Sequence, residues 1–358
     1  MDFPLFNTKA LSDGKTYNLN DPTERRGYFK AKLGSKIEEV RAFLEDNTFV
    51  GFLVAKKSAG KGTYTKMFEE IIGSDKFAHI AVGDTVRAVH KVLAEDGDGS
   101  EKREIISYLE KNYRGFISLE EALNALMERS QDKLIPTEFI LTLIKREIEK
   151  VGRKALFIDG LPRSLDQISY SLYFRDLINF RHDPDFFILI DVPEAVIDER
   201  MRYRVVCPVC HTSRNIKLLP TKFVKYDKDT QEFYLVCDND NCSEFGKARM
   251  VRKEGDDSGI ESIRERLKTD HKLLELAKGL QGIPHALIRN SIPVDKVGDY
   301  AEEYELTPAY EYKFAGDEIK ILETPWTVKD DSGVEVRSLL APAAMISLFT
   351  QIHDILLD

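Results

Sequence analysis

Phe49-Val50-Gly51-Phe52-Leu53-Val54-Ala55-Lys56-Lys57-Ser58-Ala59-Gly60-Lys61-Gly62-Thr63 decides how this chain is read. The opening run is apolar without alternation, the pattern of a strand buried on both faces. The turn after it ends in Gly60-Lys61-Gly62-Thr63, and helical spacing follows to about residue 72. Strand, small-residue turn and helix together have the layout of a phosphate-binding loop. Backbone N–H groups and the helix N-terminus cradle anions, the lysine reaches the outer phosphates, and the threonine hydroxyl meets Mg²⁺. The plainer alternative is a Gly-Lys-Gly-Thr turn that only caps a helix; the buried strand before it favours the phosphate loop.

Outward from this stretch, short apolar runs alternate with helical ones. Ala78-His79-Ile80-Ala81, Lys154-Ala155-Leu156-Phe157-Ile158 and Phe186-Phe187-Ile188-Leu189-Ile190 read as central strands. Runs of this kind between helices predict a parallel sheet covered on both faces. Helices are expected over residues 28–45, through much of 84–150 with a turn at 95–99, over 260–278 and over 341–357. Residues 205–250 change to short alternating strands and turns. Residues 1–27 are polar and turn-rich, reading as an extension wrapped on the surface. Residues 319–322 read as a strand, and the lone Trp326 as a packing residue.

Composition narrows the function classes. The 358 residues carry 52 Lys+Arg against 61 Asp+Glu, a net charge of −9, with 42% hydrophobic and 32% charged residues. That is ordinary globular composition, which excludes a disordered or collagen-like chain. The acidic balance argues against general nucleic-acid binding, while a local basic site for phosphate stays compatible with it. The longest apolar run, at residues 186–190, falls far short of the ~20 residues that span a bilayer. Met1-Asp2-Phe3-Pro4 has neither a basic nor an apolar leader region, so a cytoplasmic protein is expected.

All four cysteines lie close together, as Cys207-Pro208-Val209-Cys210 and Cys237-Asp238-Asn239-Asp240-Asn241-Cys242. Four are too few for a disulfide scaffold of this length. Two close pairs suit a tetrahedral structural Zn²⁺, each pair forming a knuckle; disulfides in an exported protein are the alternative. A closed four-thiolate site has no open position, so the metal would brace the segment without doing chemistry. His211, next to it, reads as a surface residue.

Three further pieces follow the loop in order: Gly83-Asp84-Thr85-Val86-Arg87; Asp159-Gly160-Leu161-Pro162-Arg163 with Gln167; and Arg200, Arg202 and Arg204 ahead of the cysteines. Together they resemble the adenylate kinase family of nucleoside monophosphate kinases over about residues 49–270, with Asp159 to Arg163 the most specific piece. The resemblance implies an α/β fold: a P-loop NTPase core with a parallel sheet flanked by helices, built from residues 49–80, 151–202 and 258–358. To it would be added a helical monophosphate-binding insertion at 81–150 and a small zinc-binding β lid at 203–257. Residues 1–48 form an N-terminal extension, and the end of the chain a C-terminal one.

Carried over by matching position, Ser58, Ala59, Gly60, Lys61, Gly62 and Thr63 would bind ATP, with Lys61 on its outer phosphates and Arg200 stacked on the adenine. Arg87 and Arg163 would hold the phosphate of the acceptor. Val82, Leu134, Ile135, Gly160 and Gln167 would surround the acceptor base. Arg204, Arg252 and Arg266 would close over the moving phosphoryl group, and Asp159 would act through Mg²⁺. Always-charged, bidentate guanidinium groups suit this work, since phosphoryl transfer asks the protein for positioning and charge neutralisation.

The chain also departs from the family. Ala55, Lys57 and Ser58 stand where its loop has Gly, Pro and Gly, and a positive φ at Ser58 would cost about 1 kcal/mol. Lys56 and Lys57 either add positive potential or are solvated. Val82 replaces a base-contacting Thr, and Arg252 lies in a longer stretch than the family's Arg-x-Asp-Asp. The acceptor segment has extra helical pattern at 102–112 and 119–129. The additions at both ends would cover the core, make an oligomer contact or bind another partner; the oligomeric state is not legible. The implied activity is Mg²⁺-dependent transfer of the ATP γ-phosphoryl group to a nucleoside monophosphate, with AMP favoured. A nucleotide-binding or scaffold protein on the same fold, with weak or no turnover, is the second reading.

Overall fold

The computed structural model describes residues 3–95, 97, 99–128, 135–162, 184–316 and 318–357. Asp21 accepts the Thr23 and Glu24 N–H groups and Pro22 occupies the first turn, starting α1 (Pro22–Leu33). Gly34, at φ 54° and ψ −128°, ends it, and α2 (Ser35–Asp46) begins at once. The single helix expected over 28–45 is therefore two, because only glycine takes that backbone angle without strain.

β1 (Val50–Ala55) is buried along its whole length. It leads through the loop into α3 (Lys61–Ile72) and then β2 (Phe77–Ala81). The helical insertion follows as α4 (Val82–Ala94), α5 (Ser100–Asn112), α6 (Leu119–Glu128) and α7 (Thr137–Val151). The expected turn at 95–99 falls between α4 and α5, with Asp96 and Asp98 outside the described residues. β3 (Ala155–Asp159) and β4 (Asp185–Asp191) return to the core, and α8 (Glu194–Arg202) leaves it.

Five short strands then build the cysteine-bearing unit: β5 (Arg204–Val206), β6 (Ser213–Asn215), β7 (Phe223–Asp227), β8 (Glu232–Val236) and β9 (Val251–Arg252). A short 3-10 turn and α9 (Arg264–Lys278) lead back to β10 (His285–Arg289). The tail comprises β11 (Ser291–Pro293), the hairpin β12 (Pro308–Ala315) and β13 (Glu318–Pro325), β14 (Val328–Lys329), β15 (Glu335–Ser338) and α10 (Ala341–Leu357).

Among the described residues the core sheet runs β10-β4-β1-β3-β2, every pairing parallel. This is an α/β core of the P-loop kinase kind, flanked by helices. Alternate side chains point to opposite faces. Leu53, Phe157, Phe186 and Ile188 pack with α3 and α10, while Phe52, Leu156, Ile158 and Phe187 pack with α7 and α9. Phe68 of α3 lies 4.8 Å from Phe157 and 4.9 Å from Phe77, ring to ring. Among the described residues no helix is long and apolar enough to cross a membrane.

The end segments are built into this core. Phe3, Thr8 and Leu19 are buried, so the first residues are anchored inside and not merely draped over the surface. Trp326 is buried as well. Between the two ends lies a buried polar cluster. Glu305 takes hydrogen bonds from Tyr28 Oη and Thr8 Oγ1, each at 2.7 Å, and lies 3.2 Å from the Lys32 ammonium, neither side chain exposed. Burial, with the Glu305 charge beside it, pushes the Tyr28 hydroxyl well above its usual pKa. Replacing one partner of a buried pair strands the other. Lys32→Met should therefore lower unfolding stability by about 3–5 kcal/mol in urea titration; a loss under about 1 kcal/mol would show that the pair does not hold the ends together.

Candidate active site

The loop after β1 closes on itself. The Ala59 N–H donates to the Lys56 carbonyl at 3.1 Å, and Ser58 takes φ 65°. A left-handed Ser58 matches the expectation that a serine here sits where the family has glycine, at a cost of about 1 kcal/mol. Gly60, at φ 96°, caps α3 with no side-chain hydrogen bond, and no acidic residue lies in the helix's first turn. The positive end of the α3 dipole is thus left to an external anion. Lys61 lies across the strand ends, its Nζ 3.3 Å from the Ala55 carbonyl and 3.6 Å from Asp159 Oδ1. Thr63 is exposed on the same turn, and Gly160, at φ 93°, follows Asp159 directly.

Ser58, Ala59, Gly60 and Thr63 line a cavity of about 290 Å³ together with Arg200, Met201 and Arg204. Arg200 projects from α8, and its Nη2 donates to Asn290 Oδ1 at 3.0 Å and Ser338 Oγ at 3.2 Å. Burial holds its guanidinium below the ordinary arginine pKa. Arg204 is gripped bidentately by Asp256, at 2.5 and 2.8 Å. Arg266 on α9 reaches the loop through a carboxylate: its Nε lies 2.8 Å from Asp270 Oδ1, and Asp270 Oδ2 accepts the Lys57 N–H at 2.8 Å.

Other expected residues are not brought to this cavity. Arg252 is exposed on β9, 3.7 Å from Asp257, and lines a separate cavity between the cysteine unit and β12. Arg87 is exposed on α4 and ion-paired to Asp84 one turn away. Val82 is buried in the core beside Ile80 and Leu161, and Ile135 packs against the cluster inside the helical insertion. Leu134, Arg163 and Gln167 lie outside the described residues. Lys56 is not solvated: it is completely buried.

The four cysteines converge from the two ends of their segment. Their sulfur atoms all lie within 4.8 Å of one another, with Cys207 to Cys242 at 3.8 Å and Cys210 to Cys237 at 3.6 Å. Four thiolates ~2.3 Å from a tetrahedral Zn²⁺ would stand ~3.8 Å apart, so the donor set fits that ion. The first knuckle closes by a His211 N–H bond to the Cys207 carbonyl at 3.0 Å; the His211 side chain is exposed.

Several residues of the cleft were not expected from sequence. Thr307, Leu339, Leu340 and Ala341 from the tail line the cavity, and Asn290 and Ser338 hold Arg200. Asp256 and Asp270 orient Arg204 and Arg266. Only Asp256 has a local signal, the Asp256-Asp257 pair that follows Arg252 in place of the family's Arg-x-Asp-Asp; the others have no local motif.

No family model matches the chain. Curated relatives named adenylate kinase do. That of Thermotoga petrophila is 28% identical over 211 residues, 59% of this chain and 74% of the relative. That of Ruminiclostridium cellulolyticum is 26% identical over 221 residues, covering 62% and 81%. That of Mycoplasma mycoides is 27% identical over 217 residues, covering 61% and 79%. The chain is thus similar to adenylate kinases over about 60% of its length. Although Ala55, Lys57 and Ser58 depart from the family's loop pattern, strand, loop and helix follow one another in the expected order. The matched lengths leave well over a hundred residues of this chain unshared with each relative, in keeping with substantial structure added to the family's core.

Proposed function

We propose that this chain transfers the γ-phosphoryl group of ATP, with Mg²⁺, to a nucleoside monophosphate, AMP being the favoured acceptor, and so yields two nucleoside diphosphates. The observation that carries the reading is the shared cavity, which the phosphate loop lines together with Arg200 and Arg204 at the carboxyl ends of parallel strands. The names of the relatives support ATP and AMP as the nucleotide pair. Lys61 and the first turn of α3 take the outer phosphates. Met201, Leu218 and Leu339 offer an apolar side suited to a flat base, next to Arg200.

Arg204, released from Asp256, neutralises charge on the moving group, with Arg266 held nearby through Asp270. Arg87 and Arg163 take the acceptor phosphate, with Gly160, Gln167 and Leu134 toward its base. Asp159 and Thr63 supply hard oxygen donors of the kind Mg²⁺ accepts, and that ion, when bound, offsets phosphate charge. Residues 203–257 act as a lid that excludes water, against which hydrolysis would otherwise compete with transfer.

The test is to incubate the protein with MgATP and, separately, AMP, GMP, CMP and UMP, and to measure diphosphate formation. Turnover with AMP well above the others is expected, and Arg163→Ala should reduce it by at least a hundredfold while leaving the melting temperature unchanged. ATP binding without product from any acceptor would sink the reading and leave a nucleotide-binding protein on the kinase fold.

In the lid, Cys207, Cys210, Cys237 and Cys242 would hold a structural Zn²⁺ that braces the β5–β9 unit. Metal analysis should find one zinc per chain. Stripping it with a chelator should open residues 203–257 to limited proteolysis ahead of the core; equal protease resistance with and without chelator would contradict the assignment.

A further inference from the structure

Lys56 stands at the base of the phosphate loop, and its burial has a specific counterpart. Its ammonium contacts the Asp331 carboxylate, lies 3.8 Å from Glu194 Oε1 and 3.5 Å from the Val192 carbonyl. An ammonium removed from water is costly unless it is paired. Asp331 comes from the tail, in the turn between β14 and β15. That turn is itself fixed: Asp330 Oδ1 accepts the Ser332 and Val334 N–H groups at 2.9 Å, and Asp330 Oδ2 accepts from Arg289 at 2.8 Å.

The second oxygen of Asp331 has another partner. Oδ1 accepts the Glu194 N–H at 2.8 Å, on the first residue of α8. One carboxylate therefore joins the phosphate loop, through Lys56, to the start of the helix that carries Arg200 and runs into Arg204. Loop and helix both line the cavity. Lys56 itself does not line that cavity.

We propose that Asp331 is a positioning residue for ATP, setting the spacing between the phosphate loop and the arginine helix from the C-terminal segment. The proposal rests on the reading that this cavity holds ATP. The effect passes through the loop backbone. The Lys56 carbonyl receives the Ala59 N–H, and Ser58 between them holds its left-handed angle. Freeing the base of the loop lets Ser58 relax and disperses the N–H groups that face the phosphates. Arg87, on the acceptor side, shares no residue with this bridge.

The experiment compares Asp331→Ala, Asp331→Asn and Lys56→Met with the wild-type chain by calorimetric titration of ATP and of AMP, with thermal melting as the check on folding. Asp331→Ala should weaken ATP at least tenfold and leave AMP within twofold. Asp331→Asn keeps an acceptor for the Glu194 N–H and should fall between it and wild type. Lys56→Met removes the buried charge while filling its space, and should also weaken ATP alone. It carries the test if Asp331→Ala does not fold. Folded variants that bind ATP within twofold of wild type, or that lose ATP and AMP affinity equally, overturn the proposal. Because binding is read directly, a wild-type chain that binds ATP without transferring phosphate counts against the kinase reading alone.

Discussion

Phosphate groups repel one another and are strongly hydrated, so a protein gathers them only where fixed positive charge and aligned N–H groups replace water. In the proposed reading that place is the Lys61 ammonium, set between the Ala55 carbonyl and Asp159 at the ends of two neighbouring parallel strands. The rest of the molecule answers to it. The parallel sheet brings β1 and β3 side by side, the loop sets the α3 N-terminus at the cavity, and α8 and the start of β5 bring Arg200 and Arg204 to the same cavity. An overall charge of −9 is no obstacle, because Asp256 and Asp270 orient individual guanidinium groups without filling the cavity.

The altered loop shows how the family's glycine-rich sequence can be replaced. Ser58 adopts the left-handed angle that glycine would take freely, and Ala55 ends β1 as a buried residue. Strain of about 1 kcal/mol is small against the packing around it. The C-terminal segment, which looks like an appendage in sequence, lies against the cavity at Thr307 and Leu339, holds Arg200 through Ser338, and seats α10 on the sheet. Its β12–β13 hairpin also touches the cysteine unit, where Phe314 lies 4.9 Å from Tyr226 and 5.4 Å from Phe233.

Much of this was legible in the sequence because local patterns carried it. Unbroken apolar runs marked β1, β3 and β4, the Gly60-Lys61-Gly62-Thr63 turn marked the phosphate loop, and paired cysteines marked the metal-binding geometry. What escaped had no local pattern. β10 is a short edge strand with polar ends, and only its pairing with β4 reveals it. Gly34 interrupts a continuous amphipathic pattern through one backbone angle. Lys56 looks like a solvated lysine until Asp331, from the far end of the chain, is folded against it. Val82 and Arg252 were expected near the nucleotides from motif position; the first is buried in the core and the second is exposed on β9, so neither lines the cavity at the phosphate loop.

The central claim is that the cleft moves a phosphoryl group between nucleotides and does not merely hold one. Following the label from γ-phosphate-labelled ATP in the presence of Mg²⁺ and AMP tests it most directly. The account predicts that the label appears in the β-position of ADP formed from AMP, with little released as free phosphate. Label recovered only in ATP, or only as inorganic phosphate at a rate indifferent to AMP, would contradict it.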